Sequence, residues 1–315
     1  MKKILLAGVK PTGRPHIGNY FGAMKQFVDL LNSGNYDCRF MIADYHGLNH
    51  IQNPAEMRRN ILDLAIDYLA IGLDPEKAII FKQSDVSAHT ELAWIFDTIT
   101  TMPYLMRAHA FKDAEAKDKE ISVGTFNYPI LMASDILLYD TDTVPVGQDQ
   151  KQHIEYTRDT AQKFNNIFGE TFKLPEAFII KEVAIVPGTD GQKMSKSYGN
   201  TIPLFATHDE ITKATMSIVT DSSGDIPMNV YNIHKLIRSE KDLKDIYEKN
   251  KGKYKILKEI LIEDLDVFIK PFRENREKLS KNIAEVKKVL ENGAVKAKDI
   301  ADKKLLIVKK NIGVI

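Results

Sequence analysis

The chain has 315 residues, of which 43% are hydrophobic, so it can bury the core of one large domain or of two ordinary ones. Its formal net charge of +1 gives no indication of an anionic or a cationic partner. A single cysteine, Cys38, excludes an internal disulfide and is typical of a reducing compartment.

The hydrophobic stretches are too short for a membrane protein. None is long and apolar enough to span a bilayer, and the apolar run that opens the chain is too short for a signal peptide. We therefore expect a soluble, cytoplasmic protein that makes no contact with a membrane.

The first predicted strand, KILLAGV at residues 3–9, leads into the loop PTGRPHIGN and then into a predicted helix over residues 17–31. A strand, a Gly/Pro loop and a helix start form an anion site, because the first N–H groups of the helix and its dipole favour phosphate. His16 adds a side-chain donor. Taken alone, this stretch also fits an ordinary strand-to-helix turn that carries a histidine.

Strand-like and helix-like stretches then alternate up to about residue 200. Further strands are predicted at CRFMIA, residues 38–43, at AIIF, residues 78–81, and at TVPVG, residues 143–147. Such alternation predicts an α/β, Rossmann-like domain with a doubly wound parallel sheet covered on both faces. Ligands of such sheets bind at the carboxyl ends of the strands, where PTGRPHIGN lies.

Two of the helices in this part carry recognisable start signals. Asn53, followed by Pro54 and Glu56, predicts a helix that runs to about Gly72. Ser87 is predicted to cap the helix that carries Trp94, the single tryptophan of the chain, which we expect in the core.

The pattern after residue 200 is helical almost throughout. Thr207 and Glu210 form a second capping signature, and apolar residues over 255–269 form a helical stripe that Pro271 is expected to interrupt or kink. LLIV, residues 305–308, is the one possible strand. We predict a catalytic domain over residues 1–200 and an all-helical domain over residues 201–315.

Charge is distributed unevenly between the two parts of the chain. Residues 241–315 contain 20 Lys/Arg and 13 Asp/Glu, whereas the first 240 residues contain 24 and 30. A basic tail on an acidic body suits a polyanion such as RNA. A pair of solvated helices rich in Lys and Glu fits this composition equally well.

A second motif with phosphate chemistry, KMSKS at residues 193–197, follows the glycine-rich sequence PGTDGQ. Two lysines and two serines within five residues supply point charges and hydroxyl donors that suit a polyphosphate. A solvated loop is the alternative for such a pentapeptide considered by itself.

Between the two motifs, Tyr128, Met132 and Asp135 lie four and three residues apart, so a helix places them on one face. A buried carboxylate among apolar neighbours needs a partner, for which a ligand N–H or O–H is one candidate. A solvent-exposed aspartate on an amphipathic helix is the other interpretation of this spacing.

The strand TVPVG ends in Gly147 and leads directly into a predicted helix. Three polar residues occupy the first turn of that helix, Gln148, Asp149 and Gln150. These groups suit the ammonium of an amino acid or a ribose hydroxyl, although simple N-capping by Asp149 explains them as well.

HIGN followed far downstream by KMSKS resembles the two signatures, HIGH and KMSKS, of the class I aminoacyl-tRNA synthetases. YPxLMAxDILLY and VPVGxDQxQHxExTRD look like the tryptophanyl-tRNA synthetases of the bacterial type. The resemblance covers essentially the whole chain up to KMSKS and, less specifically, the helical tail. It implies L-tryptophan and tRNA(Trp) as substrates, ATP with Mg²⁺ carried by its phosphates, no metal site made by the protein alone, and a homodimer.

The resemblance also implies roles for individual residues. Asp135 matches the acceptor of the indole N–H, Tyr128 and Gln150 match residues that hold the polar end of the amino acid, and Met132 suits packing against an indole. His16, Lys193 and Lys196 match the catalytic groups that act on the phosphates. The other matches to ATP-binding positions are Lys10, Pro11, Thr12, Gly18, Asn19, Gly147, Gln148, Asp149, Val186, Met194, Ser195 and Ser197.

Three departures from the family pattern concern the ATP site. Lys10 stands where the family usually has glutamine, Gln148 where it has glutamate, and YGN follows KMSKS in place of DPN. Three other functions stay open: a tyrosyl-tRNA synthetase, a small-molecule adenylyltransferase, and an RNA-binding or regulatory protein that keeps the site without turnover. The tyrosyl enzymes have glutamine at the position of Met132, and an adenylyltransferase would not need the basic tail.

Overall fold

The computed structural model describes residues 2–108, 111–112, 115, 120–147, 150–179, 186–220 and 224–315. Over these ranges five strands form one fully parallel sheet in the order β3-β2-β1-β4-β5. The strands are β1 (Lys3–Val9), β2 (Tyr36–Ile42), β3 (Ala78–Lys82), β4 (Thr143–Val146) and β5 (Glu176–Ile179). The strand order reverses between β1 and β4, and this switch point is where such sheets bind ligands.

Helices flank the sheet and then continue to the end of the described chain. Those of the first part are α1 (Ile17–Asn19), α2 (Lys25–Asn32), α3 (Asp44–Gly47), α4 (Pro54–Ala70), α5 (Ala88–Ile99), α6 (Met102–Leu105), α7 (Val123–Leu137) and α8 (Lys151–Phe168). Those of the second part are α9 (His208–Met216), α10 (Met228–His234), α11 (Glu240–Lys249), α12 (Tyr254–Ser280) and α13 (Ile283–Asn311).

Both faces of the sheet are buried, because alternate residues of a strand point to opposite sides. In β1, Leu5 and Ala7 belong to one hydrophobic cluster with α2, α4 and α12, whereas Leu6 belongs to a second with α5, α7 and α8. Phe40 and Met41 of β2 divide in the same way. The predicted doubly wound parallel sheet is therefore confirmed.

The helix after the first loop begins where the sequence predicts but is not regular. α1 is followed by one π-helical turn, Tyr20–Met24, before α2 begins. A 3.6-residue periodicity in the sequence does not reveal such a turn. The one extra residue of the π-helical turn still leaves most apolar residues on the buried side of the helix.

The capping signals of two helices are confirmed. The Asn53 side chain accepts hydrogen bonds from the N–H groups of Ala55 and Glu56, and Thr207 with Glu210 forms a complete capping box. Ser87 does occupy the position before α5, but its side chain makes no capping hydrogen bond in the described structure.

Three predictions about single residues or short segments are wrong. Trp94 is 71% exposed, because α5 turns Leu92 and Phe96 inward and Trp94 lies off that stripe. α12 continues through Pro271, so an interruption there is wrong whereas a kink stays a prediction, and residues 305–308 are helical within α13. Tertiary packing decides each of these features, and local composition does not report it.

The last helix packs back against the sheet. Val286 and Leu290 of α13 join the first hydrophobic cluster, and Ala301 and Leu305 join the second. Lys304 forms an ion pair with Asp140 at 2.6 Å. The helical part after residue 200 is thus in contact with the sheet through its final element, and the boundary at residue 200 stays a prediction.

None of the described helices is long and apolar enough to cross a lipid bilayer.

Candidate active site

A cavity of about 150 Å³ opens at the carboxyl ends of β1, β2 and β4. Five residues singled out in the sequence line it together, Lys10, Tyr128, Met132, Asp135 and Gln150. Apolar side chains of β1, β2, β4 and α7 supply much of the remaining wall: Leu6, Met41, Ile136 and Val144. The parallel sheet brings these residues together from positions up to 144 residues apart, since each lies in a strand, just after one, or on the adjacent helix.

Asp135 is the buried carboxylate of this cavity, with only 2% of its surface exposed. His46 Nε2 lies 2.8 Å from Oδ2, and His89 Nδ1 lies 2.6 Å from Oδ1. The Gln83 amide nitrogen is shared between the two oxygens at 2.8 and 3.0 Å. The alternative of a solvent-exposed aspartate on an amphipathic helix is thereby excluded.

These contacts determine the charge of Asp135. Burial alone would raise its pKa, but the hydrogen bonds from His46 and His89 outweigh burial and lower the pKa to about 2. An ionised carboxylate offers roughly four acceptor positions, and three donor groups occupy it here. The site therefore holds a buried anionic acceptor in the wall of the cavity.

Tyr128 and Gln150 both line the cavity. The Tyr128 hydroxyl is 2.7 Å from His153 Nε2 on α8, and the backbone N–H of Gln150 donates to Gly147 O at 3.0 Å. Gln150 occupies the position before the first residue of α8. The two residues thus add to the polar part of the lining, which also contains Lys10, His46 and Asp135.

His16 begins α1 and forms a reciprocal cap with Asn19. The backbone N–H of Asn19 donates to His16 Nδ1 at 3.2 Å, and the His16 N–H donates to Asn19 Oδ1 at 3.1 Å. Because Nδ1 accepts this bond, the neutral ring carries its proton on Nε2. Burial and then Lys196 lower the pKa of His16 to about 4, so it is a neutral Nε2 donor near pH 7.

Gly18 allows the two motifs to approach each other. A Cβ atom at this position would lie 2.8 Å from His16 Nδ1 and 3.3 Å from Met194 Cβ of KMSKS. Any larger residue would displace the imidazole that caps the helix, so this position requires glycine.

Lys10, Pro11 and Thr12 form the turn that leaves β1. Lys10 Nζ lies 3.4 Å from His50 Nε2, and burial lowers the pKa of Lys10. The N–H of Thr12 donates to Lys10 O at 2.9 Å. This turn directs Lys10 into the cavity beside Asp135.

Asn200 organises the KMSKS segment. Its Oδ1 accepts from the Ser195 N–H at 2.8 Å, and its Nδ2 donates to Asp190 Oδ1 at 2.7 Å and to Lys193 O at 3.2 Å. Met194 is buried, and its N–H donates to Val186 O at 2.9 Å. Lys193, Lys196 and Ser197 remain on the exposed side of the loop.

The two phosphate motifs are in direct contact although 184 residues separate Lys196 from Thr12. Lys196 Nζ donates to Thr12 O at 3.1 Å and to Gly13 O at 2.9 Å. The N–H of Ile17 also donates to Ile202 O at 2.9 Å, just after KMSKS. A cationic loop and a helix N-terminus therefore face one ligand space next to the Asp135 cavity.

Two predicted ATP-site residues, Gln148 and Asp149, lie outside the described residues, so the departure at Gln148 has no structural account here. Gly147 follows β4 immediately, and Val186 lies in the segment that precedes KMSKS.

Sequence reasoning missed the residues that surround Asp135. Gln83 directly follows β3, His46 lies in α3, which follows β2, and His89 stands at the start of α5. The available signal was their position after predicted strands, because the carboxyl ends of parallel strands meet at one edge. Their common partner, Asp135, becomes visible only in the tertiary structure.

Among the residues that the structure describes, no group of three or more His, Cys, Asp or Glu side chains could hold a metal ion. The expectation that Mg²⁺ arrives with a nucleotide stays a prediction.

The sheet order, the capped histidine and the contact between KMSKS and the loop PTGRPHIGN define a nucleotide-binding site of the class I synthetase type. The family model for class I tRNA synthetases of the W and Y type matches residues 2–301. The chain belongs to this family.

Curated and solved relatives agree with this assignment. The tryptophan–tRNA ligase of Fusobacterium nucleatum is 47% identical over 319 residues, which cover 98% of either chain. The crystal structure of tryptophanyl-tRNA synthetase from Campylobacter jejuni complexed with ADP and tryptophan has a TM-score of 0.92 at 42% identity. It covers 98% of this chain and 99% of its own. A tyrosyl-tRNA synthetase from Archaeoglobus fulgidus, at 18% identity and a TM-score of 0.68, shares the fold.

Proposed function

We propose that this protein is a tryptophan–tRNA ligase, which activates L-tryptophan with ATP and transfers it to tRNA(Trp). The observation that carries the proposal is the buried, ionised Asp135 in a largely apolar cavity, together with the contact between Lys196 of KMSKS and the loop PTGRPHIGN. The full-length similarity to tryptophan–tRNA ligases supports the same activity.

Tryptophan is the amino acid that this cavity suits best. Asp135 accepts the indole N–H, Met132 packs against the bicyclic ring, and Tyr128 and Gln150 bind the ammonium and carboxylate end. Phenylalanine has no donor for Asp135, and a buried hydrogen-bonding site rejects such analogues by roughly four to five orders of magnitude in a comparable enzyme. Tyrosine is disfavoured because its smaller ring places the hydroxyl differently and Met132 offers it no hydrogen bond.

Catalysis rests on positioning and on charge stabilisation. A carboxylate oxygen of tryptophan bonds to the α-phosphorus of ATP while the bond from that phosphorus to the bridging oxygen of the β-phosphate breaks. His16 Nε2 donates to the phosphates, and Lys193 and Lys196 stabilise the charge of the departing pyrophosphate. A ribose hydroxyl of the tRNA terminus then attacks the carbonyl carbon, and AMP leaves.

The ATP site comprises the turn from Lys10 to Thr12, the first turn of α1 and the loop from Val186 to Ser197, with the segment after β4 on the adenosine side. The charged groups that face the phosphates are cationic, which leaves Mg²⁺ to be bound by the phosphate oxygens of ATP. The ion neutralises part of the phosphate charge when it is bound.

We assign residues 1–200 to aminoacylation and residues 201–315 to binding the anticodon arm of the tRNA, in the cytoplasm. Support comes from the excess of Lys and Arg over Asp and Glu in residues 241–315. Binding of the polyanionic tRNA explains this excess of positive charge. Helices that only face solvent would not require it.

We also propose a homodimer, because a group of large apolar side chains is exposed on α5, α6 and α7. These are Trp94, Met102, Met106, which follows α6, and Val123. α5 and α7 lie side by side, as the hydrogen bond from Asn127 Nδ2 to Asp97 Oδ2 at 2.9 Å indicates. A second copy of this chain would bury this surface.

Exchange of labelled pyrophosphate into ATP, measured with each amino acid in turn, tests the function. We expect exchange with tryptophan and at most trace exchange with tyrosine. Exchange with tyrosine instead would identify a tyrosyl enzyme. If no amino acid supports exchange, an RNA-binding protein without turnover would be the better interpretation.

A further inference from the structure

A buried hydrogen-bonded chain lies behind Asp135, on the side away from the cavity. His89 is fully buried, with Nδ1 at 2.6 Å from Asp135 Oδ1 and Nε2 at 2.9 Å from the Tyr139 hydroxyl. Tyr139 is also almost completely buried. Neither residue is among the described residues that line the cavity, so both act on a ligand only through Asp135.

The hydrogen bonds of this chain all run toward the carboxylate. Because Asp135 accepts, His89 must carry a proton on Nδ1, and in the neutral ring Nε2 then accepts from the Tyr139 hydroxyl. Burial keeps Tyr139 protonated by raising its pKa. Gln83 is oriented in the same way, since its Oε1 accepts from the Tyr45 N–H at 3.1 Å and its amide nitrogen faces Asp135.

We propose that His89, oriented by Tyr139, is the positioning residue that gives Asp135 its selectivity for an aromatic ring N–H. The proposal rests on the proposed function, in which Asp135 accepts the indole N–H of tryptophan. His89 holds Oδ1 at 2.6 Å and does not line the cavity, so it fixes the carboxylate without occupying the space of a ligand.

The physical need for such a residue follows from the carboxylate torsion. The outer torsion of an aspartate is broad, so the carboxylate of a buried Asp135 can rotate unless its oxygens are held. His46 holds Oδ2 from the cavity side, where a ligand also approaches, whereas His89 holds Oδ1 from the closed side. Removing the His89 donor would leave Oδ1 with only the Gln83 amide nitrogen, which it shares with Oδ2, so the carboxylate would be held less firmly.

Two substitutions of His89 separate hydrogen bonding from packing. His89→Asn keeps an N–H donor near the place of Nδ1, whereas His89→Leu keeps an apolar side chain of useful volume and has no donor. The readout is the ratio of kcat/KM in pyrophosphate exchange for tryptophan and for benzothienylalanine, in which sulfur replaces the indole N–H.

We expect His89→Leu to reduce the preference for tryptophan by about 10- to 100-fold, the value of one hydrogen bond to a charged group. The loss should appear mainly in KM for tryptophan, with the kinetics for benzothienylalanine nearly unchanged. His89→Asn should keep the preference within about threefold of the native protein, as a substitute donor would. Activity toward benzothienylalanine also reports on folding, because it needs no N–H contact.

A preference that is retained in His89→Leu would overturn the proposal, whether or not His89→Asn also retains it. An equal loss toward both amino acids in both variants would overturn it as well. If a His89 variant does not fold, Tyr139→Phe carries the test, and an unchanged preference in that variant refutes the proposal. A native protein that does not prefer tryptophan over benzothienylalanine would instead refute the proposed role of Asp135.

Discussion

At the scale of single residues, burial disfavours the charged forms of the basic groups in the site. It lowers the pKa values of His16, Lys10 and Lys196, and among these groups Lys196 contacts backbone carbonyls of the first motif. Asp135 departs from this trend because histidine donors keep it ionised. The site thus combines a neutral imidazole donor, lysine cations and one buried anion, which suits a zwitterionic amino acid next to a polyphosphate.

Lys196→Ala should slow adenylate formation by about 10²- to 10³-fold, because it removes one donor from the developing charge on the phosphates. Tryptophan affinity should change by less than about threefold, since Lys196 contacts the first motif rather than the Asp135 cavity. Single-turnover kinetics and equilibrium tryptophan binding measure the two effects. Lys213→Ala, an exposed lysine on α9, is the matched control and should change neither. The reverse pattern would remove Lys196 from the transition state.

The depressed pKa of His16 predicts a specific acid sensitivity. Its pKa is about 4 in the folded protein against 6.5 ordinarily, so the unfolded chain binds the proton first as pH falls. The contribution of His16 to stability is therefore complete above pH 6.5 and is lost progressively as pH falls toward 4. His16→Asn keeps a cap acceptor but does not titrate.

Urea unfolding at several pH values between 7 and 4 checks this expectation. The native protein should lose more unfolding free energy over that window than the His16→Asn variant does. Identical pH dependence of the two proteins would show that His16 is not buried in its neutral form.

At the scale of elements, α13 is placed by one close contact with the edge of the sheet. A Cβ atom on Gly293 would lie 1.8 Å from Ile80 O of β3. Ala301 and Leu305 further along α13 pack into the cluster that also contains α5 and α7. The contact covers the edge strand β3, which would otherwise present unpaired backbone groups.

Gly293→Ala tests whether this contact determines the position of the helix. Helix propensity alone predicts a gain of up to about 1 kcal/mol, whereas overpacking against backbone predicts a net loss of about 1–3 kcal/mol. We expect the loss, measured as the free energy of unfolding in urea. Val295→Ala, at an exposed position of the same helix, is the control and should change stability by less than about 0.5 kcal/mol. A stabilised Gly293→Ala variant would contradict the close packing of α13.

At the scale of the whole molecule, the KMSKS loop joins the sheet to the helical part. Lys196 reaches the first motif, and the N–H of Val219, after α9, donates to Thr189 O at 2.7 Å. Arg14 of the first loop forms an ion pair with Glu210 of α9 at 2.8 Å. A movement of the helical part would therefore also displace residues of both phosphate motifs.

The exposed apolar residues on α5, α6 and α7 predict that the protein forms a homodimer. Native protein should sediment as two chains at micromolar concentration, and Trp94→Lys should sediment as one, because a charge in a buried contact is left unpaired. Val267→Lys, which alters an equally exposed residue of α12, should leave the assembly unchanged. A native protein that is monomeric at every concentration, or a Trp94→Lys variant that still dimerises, would contradict the proposed interface.

Much of the site was predictable because its residues follow strands. Lys10, Gln150 and the HIGN loop occupy strand ends that the alternating pattern located, and the helical spacing of Tyr128, Met132 and Asp135 placed them on one face. The burial of Asp135 was not predictable, since spacing fits an exposed aspartate equally well. Trp94 shows the opposite error, because its residue type favours the core and its position on α5 does not.

The sequence by itself determined the alternating strands and helices, the caps at Asn53 and Thr207, and the two phosphate motifs, because each depends on neighbours within a few residues. Only the tertiary structure decided that His46, Gln83 and His89 converge on Asp135 and that Lys196 rests on the first motif. Such contacts join residues far apart in the chain, and they arise from the order in which the parallel strands pack, which no local pattern encodes.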